Sequence, residues 1–288
     1  MDSKQFKTVI SSKRRLFDLH IGEAFHYRDL IMLFVKRDFV ANYKQTVLGP
    51  AWAVIQPLLT TVVFTIIFGS LAKLTTADTN GDFTVPGFLF YMVGNICWSY
   101  FSGTLSDTSN TFLRNAGVMG KVYYPRIVSP ISSALSRLIS FGIQLVMFIA
   151  IWAFYLIRGT TSIRLSPMLL LVPVALLQIM ILSVGFGIII SSVTTKYRDL
   201  AMLVSFGLQL WQYASPIAYG LQLIPEKYQF IYMLNPVAPA ILTMRYAFFG
   251  FGYFNIFSFL ISWIVSIAVF FIGLVMFSRI ERTFMDTI

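Results

Sequence analysis

Two ionisable side chains fall inside apolar stretches of this chain at positions where they could interact. Asp107 and Arg137 lie near the ends of consecutive apolar runs, which would bring both side chains to the same membrane face if the runs form antiparallel helices. An acid and a base in such a setting favour an ion pair that holds a helical hairpin together. A proton relay is the alternative.

Other chemistry-bearing patterns are missing from the sequence. It contains no G-x-x-x-x-G-K-[ST] loop, and its twelve acidic residues show no metal-ligand spacing or H-E-x-x-H motif. The two histidines, His20 and His26, stand far from any apolar run, and Cys97 is the single cysteine. We therefore expect no catalytic residue, no metal site and no cofactor in this chain, and no enzyme activity of its own.

Aromatic residues make up 16% of the chain, and some cluster within the apolar runs. A ring face can pack against the C–H face of a sugar while Tyr and Trp polar atoms meet hydroxyl groups. Simple packing is the other interpretation of any one ring. The candidates for a glycan path are Trp98, Tyr100, Phe101, Trp211 and Tyr213.

Six apolar runs would have to position these residues. Hydrophobic residues form 57% of the chain and charged residues 12%, and about 20 apolar residues in a helix cross a bilayer core of about 30 Å. The pattern predicts an all-α polytopic membrane protein with six transmembrane helices. The runs are 50–72, 87–113, 128–157, 168–193, 200–222 and 254–277.

The distribution of basic residues orients these runs. Sixteen Lys and Arg residues lie before the first run, in alternate gaps and after the last run, whereas five lie in the intervening gaps. By the positive-inside rule, both termini are cytosolic. The net charge of +10 then reflects membrane topology, and we expect no nucleic-acid partner.

The polar leader and an interrupted segment complete the domain plan. In the leader 1–48, Tyr27, Leu30, Ile31 and Phe34 share one helix face, which predicts an amphipathic interfacial helix. The transmembrane domain would cover 49–278 and a cytosolic tail 279–288. Within that domain, Asn235, Pro236 and Pro239 interrupt the apolar stretch 223–253, which predicts re-entrant helices before the last span.

Two cytosolic gaps combine charged and aromatic residues and could contact a partner protein. The longer gap, 114–126, mixes bases with exposed aromatics, a combination suited to docking into a groove; simple anchoring at the membrane surface is the alternative. Its candidate contact residues are Arg114, Lys121, Tyr123, Tyr124, Pro125 and Arg126. The shorter gap contributes Tyr197, Arg198 and Asp199.

Several segments, spread over nearly the whole chain, resemble one family. They are Arg37 to Trp52, Gln56-Pro57-Leu58, Lys121-Val122-Tyr123-Tyr124-Pro125-Arg126, Tyr197-Arg198-Asp199-Leu200, Ser215-Pro216-Ile217, Asn235-Pro236 and Glu281 to Asp286. In these segments the chain resembles the type-2 ABC transporter permeases that export O-antigen, capsule or teichoic acid polymers.

The resemblance implies a homodimer in the bacterial inner membrane that works with two copies of a separate ABC ATPase subunit, which binds ATP and Mg. It implies that 114–126 is the coupling segment seated on that ATPase, and that the helices in 223–253 flank the outer exit. The expected cargo is a lipid-linked polysaccharide such as O-antigen. A drug or small-lipid permease, a membrane-bound glycosyltransferase or acyltransferase, and a passive channel are the alternatives.

Overall fold

The computed structural model describes most of the chain, and all regular structure in the described residues is helical. The described residues are 26–44, 46–72, 85–119, 121, 124–159, 167–194, 199–250 and 252–287. The α-helices are α1 (Arg28–Tyr43), α2 (Trp52–Phe64), α3 (Gly87–Ser109), α4 (Thr111–Met119), α5 (Val128–Ile157), α6 (Leu171–Thr194), α7 (Leu200–Tyr213), α8 (Glu226–Met233), α9 (Val237–Phe249) and α10 (Ile256–Thr287).

Four helical segments in the described ranges are long and apolar enough to cross a membrane. They are Gly49–Leu71, Val128–Ile157, Pro167–Thr194 and Ile256–Arg279. The first contains α2, framed by a short 3-10 turn that starts at Gly49 and by a π-helical end, and Pro57 lies inside it. The chain is thus a multi-pass membrane protein, and these four segments match four of the six predicted runs.

The predicted run 87–113 differs from the structure in two ways. It is two helices, α3 and α4, separated at Asn110. Helix α3 is long enough to span, but its polar residues, among them Asn95, Thr104 and Asp107, make it less apolar than the four segments above. Most of α3 is buried against α2, α5, α6 and α9. Because protein rather than lipid covers α3, it can carry polar side chains.

The predicted run 200–222 is also shorter as a helix. Helix α7 has 14 residues and ends at Tyr213, which at 1.5 Å per residue covers about 21 Å, less than a bilayer core. Ser215 and Pro216 follow, and the proline prevents the helix from continuing. Pro216 thus breaks the run 200–222 near its end, and α7 does not continue through 222.

The stripe in the leader forms the inner face of α1. Phe34 is buried, and Tyr27, Leu30 and Ile31 pack with it into an apolar cluster that includes Phe277 of α10. This packing places α1 against the end of the bundle that also carries α4. The predicted helix is confirmed, and its apolar face is covered by protein.

The interrupted segment 223–253 contains two short helices, α8 and α9, as predicted. Asn235 connects them to the end of α7: its Oδ1 accepts from Trp211 Nε1 at 3.0 Å and from Val237 N at 3.1 Å, and its Nδ2 donates to Ser215 Oγ at 3.0 Å. The side chain therefore ties the break in α7 to the first turn of α9.

Arg245 in α9 is buried in the same region. Its Nη2 donates to the carbonyl of Ile217 at 2.8 Å and its Nη1 to that of Tyr219 at 3.4 Å. The guanidinium also lies 3.6 Å from the ring centroid of Phe90 in α3. Backbone carbonyls and an aromatic face thus stabilise this cation.

Helix α6 packs closely against two neighbours. A Cβ added at Gly185 would lie 2.8 Å from the backbone of Phe270 in α10, and one added at Gly187 would lie 2.5 Å from Cβ of Thr108 in α3. Small residues allow helix backbones to approach this closely in membranes. Helix α6 therefore sits at the centre of the bundle and fixes α3, which lines the site described next.

Candidate functional site

A polar cleft of about 380 Å³ lies between α2, α3 and α5. Its polar lining is unusual for a helical bundle whose outer surface is apolar, because an unpaired polar group costs about 2–7 kcal/mol in hydrocarbon. The lining includes Tyr43, Trp52, Gln56, Thr60, Asn95, Trp98, Ser99, Tyr100, Ser102, Gly103, Arg137, Ser140, Gln144 and Gln212.

Helical spacing explains why these residues meet. In α5, Arg137, Ser140 and Gln144 stand at i, i+3 and i+7 and so share one face. In α3, Asn95, Ser99 and Ser102, at i, i+4 and i+7, form a similar stripe. Gln56 and Thr60 of α2 add a third. Three helices thus turn narrow polar faces towards one space.

Two amide oxygens at the cleft are free to accept hydrogen bonds. Asn95 Oδ1 and Gln144 Oε1 are buried and receive no hydrogen bond from the described part of the chain, although Asn95 Nδ2 donates to Thr61 Oγ1 at 3.4 Å. Buried polar atoms are rarely left without a partner. Both residues line the cleft, where a turn of either side chain would present its oxygen to a hydroxyl donor.

The five predicted glycan-path aromatics fall into three groups. Trp98 and Tyr100 line the cleft. Phe101 has no exposed surface and packs against Trp211 at 5.1 Å between ring centroids, so these two rings join α3 to α7. Tyr213 lies on the outer face of α7 and is 56% exposed. Only the first group contacts the cleft of this chain.

Asp107 and Arg137 are in direct contact. Arg137 Nε donates to Asp107 Oδ2 at 2.6 Å. The other carboxylate oxygen, Oδ1, accepts from Arg114 Nη1 of α4 at 3.1 Å. One carboxylate thus joins α3, α4 and α5, and the guanidinium of Arg137 reaches the cleft.

The predicted coupling segment is partly helical. Arg114 lies in α4 and is exposed, Lys121 is exposed in a turn, and Tyr123 lies outside the described residues. Helix α4 is tied to α1 by a hydrogen bond of 2.9 Å from Arg37 Nη2 to Asn115 Oδ1. Helix α4 is therefore hydrogen-bonded both to α1 and to the carboxylate of Asp107 in α3.

The remaining aromatic of that segment is buried, contrary to the expectation of exposed aromatics. Tyr124 packs edge-on against Phe34 at 5.5 Å, and its hydroxyl lies 3.1 Å from Ser129 Oγ. Burial raises the pKa of the Tyr124 hydroxyl above its ordinary value, so the group is neutral. Pro125 is buried too, and Arg126 is half-buried. Tyr124 thus anchors the segment to α1 through Phe34 and to α5 through Ser129.

Of the second predicted contact, Tyr197 and Arg198 lie outside the described residues. Asp199 is exposed and directly precedes α7. Its backbone carbonyl accepts from Met202 N at 3.1 Å, in the first turn of that helix.

Sequence reasoning missed the polar half of the cleft. Asn95, Ser140 and Gln144 stood within apolar runs and were not singled out, and Gln56 was noted only for the family resemblance. Their recurrence every three or four residues along α2, α3 and α5 was the available signal. Averaging the hydropathy of a whole run does not detect this signal, because one polar stripe changes the average only slightly.

Long apolar helices around a polar cleft define a polytopic membrane protein with a hydrophilic site inside its helical bundle. Residues 29–249 match the ABC-2 type transporter family, and the chain belongs to that family.

Three curated relatives share most of its length. Two O-antigen export system permease proteins RfbA of Klebsiella pneumoniae are 28% and 29% identical over 259 and 258 residues, each covering 90% of this chain and 94% of the relative. The protein of the same name from Myxococcus xanthus is 24% identical over 232 residues, covering 80% of this chain and 84% of the relative.

Proposed function

We propose that this chain is the permease subunit of an ATP-driven exporter that moves a lipid-linked polysaccharide of the O-antigen kind across the bacterial inner membrane. The observation that carries the proposal is the polar, aromatic-lined cleft within an apolar bundle. Family membership and relatives named as O-antigen export permeases support the same cargo.

The chemistry of the cleft suits a sugar chain. Trp52 and Trp98 line the cleft, and Trp52, which is 41% exposed, offers a ring face for the C–H surface of a sugar. Asn95 and Gln144 line the cleft and would provide acceptors for sugar hydroxyls once their buried amide oxygens turn towards it, and Ser99 adds a small polar surface. Each satisfied hydroxyl avoids the cost of exposure to hydrocarbon.

A second copy of the chain would complete the passage. A cleft of about 380 Å³ is too small to enclose a polymer along its whole path. Helix α7 has no buried residue, and its outer face exposes Met202, Leu203, Phe206 and Tyr213. Since α7 also contributes Gln212 to the cleft, pairing of two copies along α7 would cover this apolar face and join the two clefts.

The topology proposed for the subunit counts six crossings. The four long segments, α3 and α7 with the loop that follows it would cross the membrane, with both termini in the cytosol. Helices α8 and α9 would enter the outer leaflet without crossing, because 8 and 13 residues are too few to span. Their position beside the end of α7 suits a role at the outer exit.

Energy would come from a separate ATPase that binds ATP and Mg. Helix α4 is the proposed seat of that ATPase, two copies of which would serve the dimer. Contacts of α4 with Arg37 and Asp107 provide a direct route from the seat to the cleft wall. Movement of α4 would shift α3 and α5 relative to each other and so change the shape of the cleft.

A cleft-filling variant tests this proposal. Ser99→Trp places a large side chain in the cleft, whereas Ile264→Trp places the same side chain on the outer surface of α10, where Ile264 is 67% exposed. Both variants are reconstituted with the ATPase in proteoliposomes, and ATP-dependent movement of a labelled lipid-linked polysaccharide is measured.

The expected result is a loss of transport of about tenfold or more for Ser99→Trp, because the added ring occupies the space of a sugar unit. Ile264→Trp should transport normally. Normal transport by Ser99→Trp, in a variant that assembles with the ATPase as the wild type does, would show that the polysaccharide does not use this cleft.

A further inference from the structure

The guanidinium of Arg137 is only partly used by the protein. Its Nε donates to Asp107, but its two terminal nitrogens make no hydrogen bond with the described residues. The side chain is 34% exposed and lines the cleft. Arginine has five N–H donors in a planar fork that matches the oxygens of a phosphate or carboxylate. Four of these donors therefore remain without a hydrogen bond to the described residues.

The surroundings of Arg137 favour an anion. Among the described residues that line the cleft, Arg137 is the only charged one. Gly103 lies against its guanidinium, where an added Cβ would be 3.2 Å from Nη1. Tyr43 and Ser140 also line the cleft and are hydrogen-bonded to each other, with their hydroxyl oxygens 3.2 Å apart, so one of the two hydroxyls remains free to donate to an oxyanion. The cleft therefore carries a positive charge with hydroxyl donors around it.

The carboxylate behind Arg137 has a second partner. Asp107 Oδ1 accepts from Arg114 while Oδ2 accepts from Arg137. If Arg137 turned towards a ligand, Asp107 would keep one cation, so no half-buried charge would be left alone. Arg137, Asp107 and Arg114 can thus exchange partners without leaving an unpaired charge.

We propose that Arg137 is the receptor for an oxyanion, a phosphate ester or a carboxylate, carried by the transported molecule. Asp107 is the internal anion with which that group competes, and Arg114 holds Asp107 while the exchange takes place. This inference rests on the proposed function, since it assigns a recognised group to the same cleft.

Competition by Asp107 gives the site a useful property. A transport site must bind its cargo strongly enough to admit it and weakly enough to release it. Because Asp107 is always present, it lowers the net affinity of Arg137 for the cargo and closes the pair again when the cargo leaves. Because Arg114 of α4 also binds Asp107, any movement of α4 would change the competition between Asp107 and the cargo for Arg137.

Binding to the purified chain in phosphatidylcholine nanodiscs tests the proposal without transport. Two probes distinguish the source of the anion: farnesyl diphosphate represents a lipid-borne group, and a glucuronate-containing tetrasaccharide represents a sugar-borne group. Affinities are measured by titration calorimetry for the wild type, Arg137→Gln, Asp107→Asn and Arg158→Gln. Arg158 is a matched control, because it lies just after the other end of α5 and is exposed.

The two partners are expected to act in opposite directions. Arg137→Gln should weaken binding about tenfold or more, because the charge-assisted hydrogen bonds are lost. Asp107→Asn should strengthen binding about threefold or more, because the competing charge is removed. Arg158→Gln should bind as the wild type does. The probe that shows this pattern identifies the source of the oxyanion.

Three results would overturn the proposal. The first is that neither probe binds to the wild type, and the second is that Arg137→Gln binds with wild-type affinity. The third is weaker binding in Asp107→Asn, which is the result expected if the ion pair only supports the structure. If Arg137→Gln does not fold, the direction of the change in Asp107→Asn decides the matter. Failure here would leave the cleft-filling test of transport unaffected, so the two proposals can be judged separately.

Discussion

The contact between α3 and α6 at Gly187 allows a quantitative test of the fold that positions the cleft. A Cβ at this position would lie 2.5 Å from Cβ and 2.8 Å from Cγ2 of Thr108, which has no exposed surface. Carbon atoms pack at about 3.5–4.0 Å. Gly187→Ala therefore requires α3 and α6 to separate by about 1 Å.

The cost follows from two opposing effects. Overpacking of this kind destabilises by about 1–3 kcal/mol, whereas alanine favours a helix over glycine by about 1 kcal/mol. We expect Gly187→Ala to lower the free energy of unfolding by about 0–2 kcal/mol relative to the wild type, and by about 1–3 kcal/mol relative to a glycine-to-alanine change that meets no neighbour. Gly142→Ala in α5 is the matched control, because nothing lies within 4 Å of its added Cβ, and it should not destabilise.

Thermal unfolding in detergent, followed by intrinsic fluorescence, measures both variants. A change of 1 kcal/mol corresponds to a shift of about 2–4 °C in Tm for a chain of this size class. The double variant Gly187→Ala with Thr108→Gly removes both colliding carbons and should show a favourable coupling energy. A Tm of Gly187→Ala equal to that of Gly142→Ala would refute the reasoning, since it would mean that the interface separates without cost.

Two further predictions concern the ends of the bundle. Asn235→Ala removes the hydrogen bonds that join α7 to α9 and should lower the free energy of unfolding, measured by thermal unfolding, by about 2–3 kcal/mol. The control Gln229→Ala loses one hydrogen bond of α8 and should lower it by about 1 kcal/mol. Equal losses of stability in the two variants would contradict the role of Asn235. Arg37→Ala removes the hydrogen bond to Asn115 and should raise the number of ATP molecules hydrolysed per polysaccharide moved. Lys36 is exposed, so Lys36→Ala should leave this ratio unchanged. An unchanged ratio in Arg37→Ala would show that α1 does not restrain α4.

Local rules predicted much of the helical plan. Proline chemistry located the two short helices around Pro236, because a proline cannot continue the hydrogen bonding of a helix. The contact of Asp107 with Arg137 was predictable from two antiparallel helices joined by a short segment. Each of these inferences depends on neighbours in sequence.

Features that depend on tertiary packing were not predictable in this way. Tyr124 looked exposed because its segment is polar, but α1 folds over it through Phe34. The second cation on Asp107 was missed because Arg114 comes near only after the chain turns at Asn110. Helix α3 carries more polar residues than the outer helices because other helices surround it. A single sequence contains no direct signal of which helix will be central.

The burial of Arg245 bears on how the protein is made. An isolated α9 would bring a cation into lipid at a cost of about 2.5–3.5 kcal/mol. The carbonyls of Ile217 and Tyr219 and the ring of Phe90 that accept this cation belong to parts of the chain synthesised earlier. The proposed entry of α9 into the outer leaflet therefore favours insertion of this helix after those earlier segments are in place.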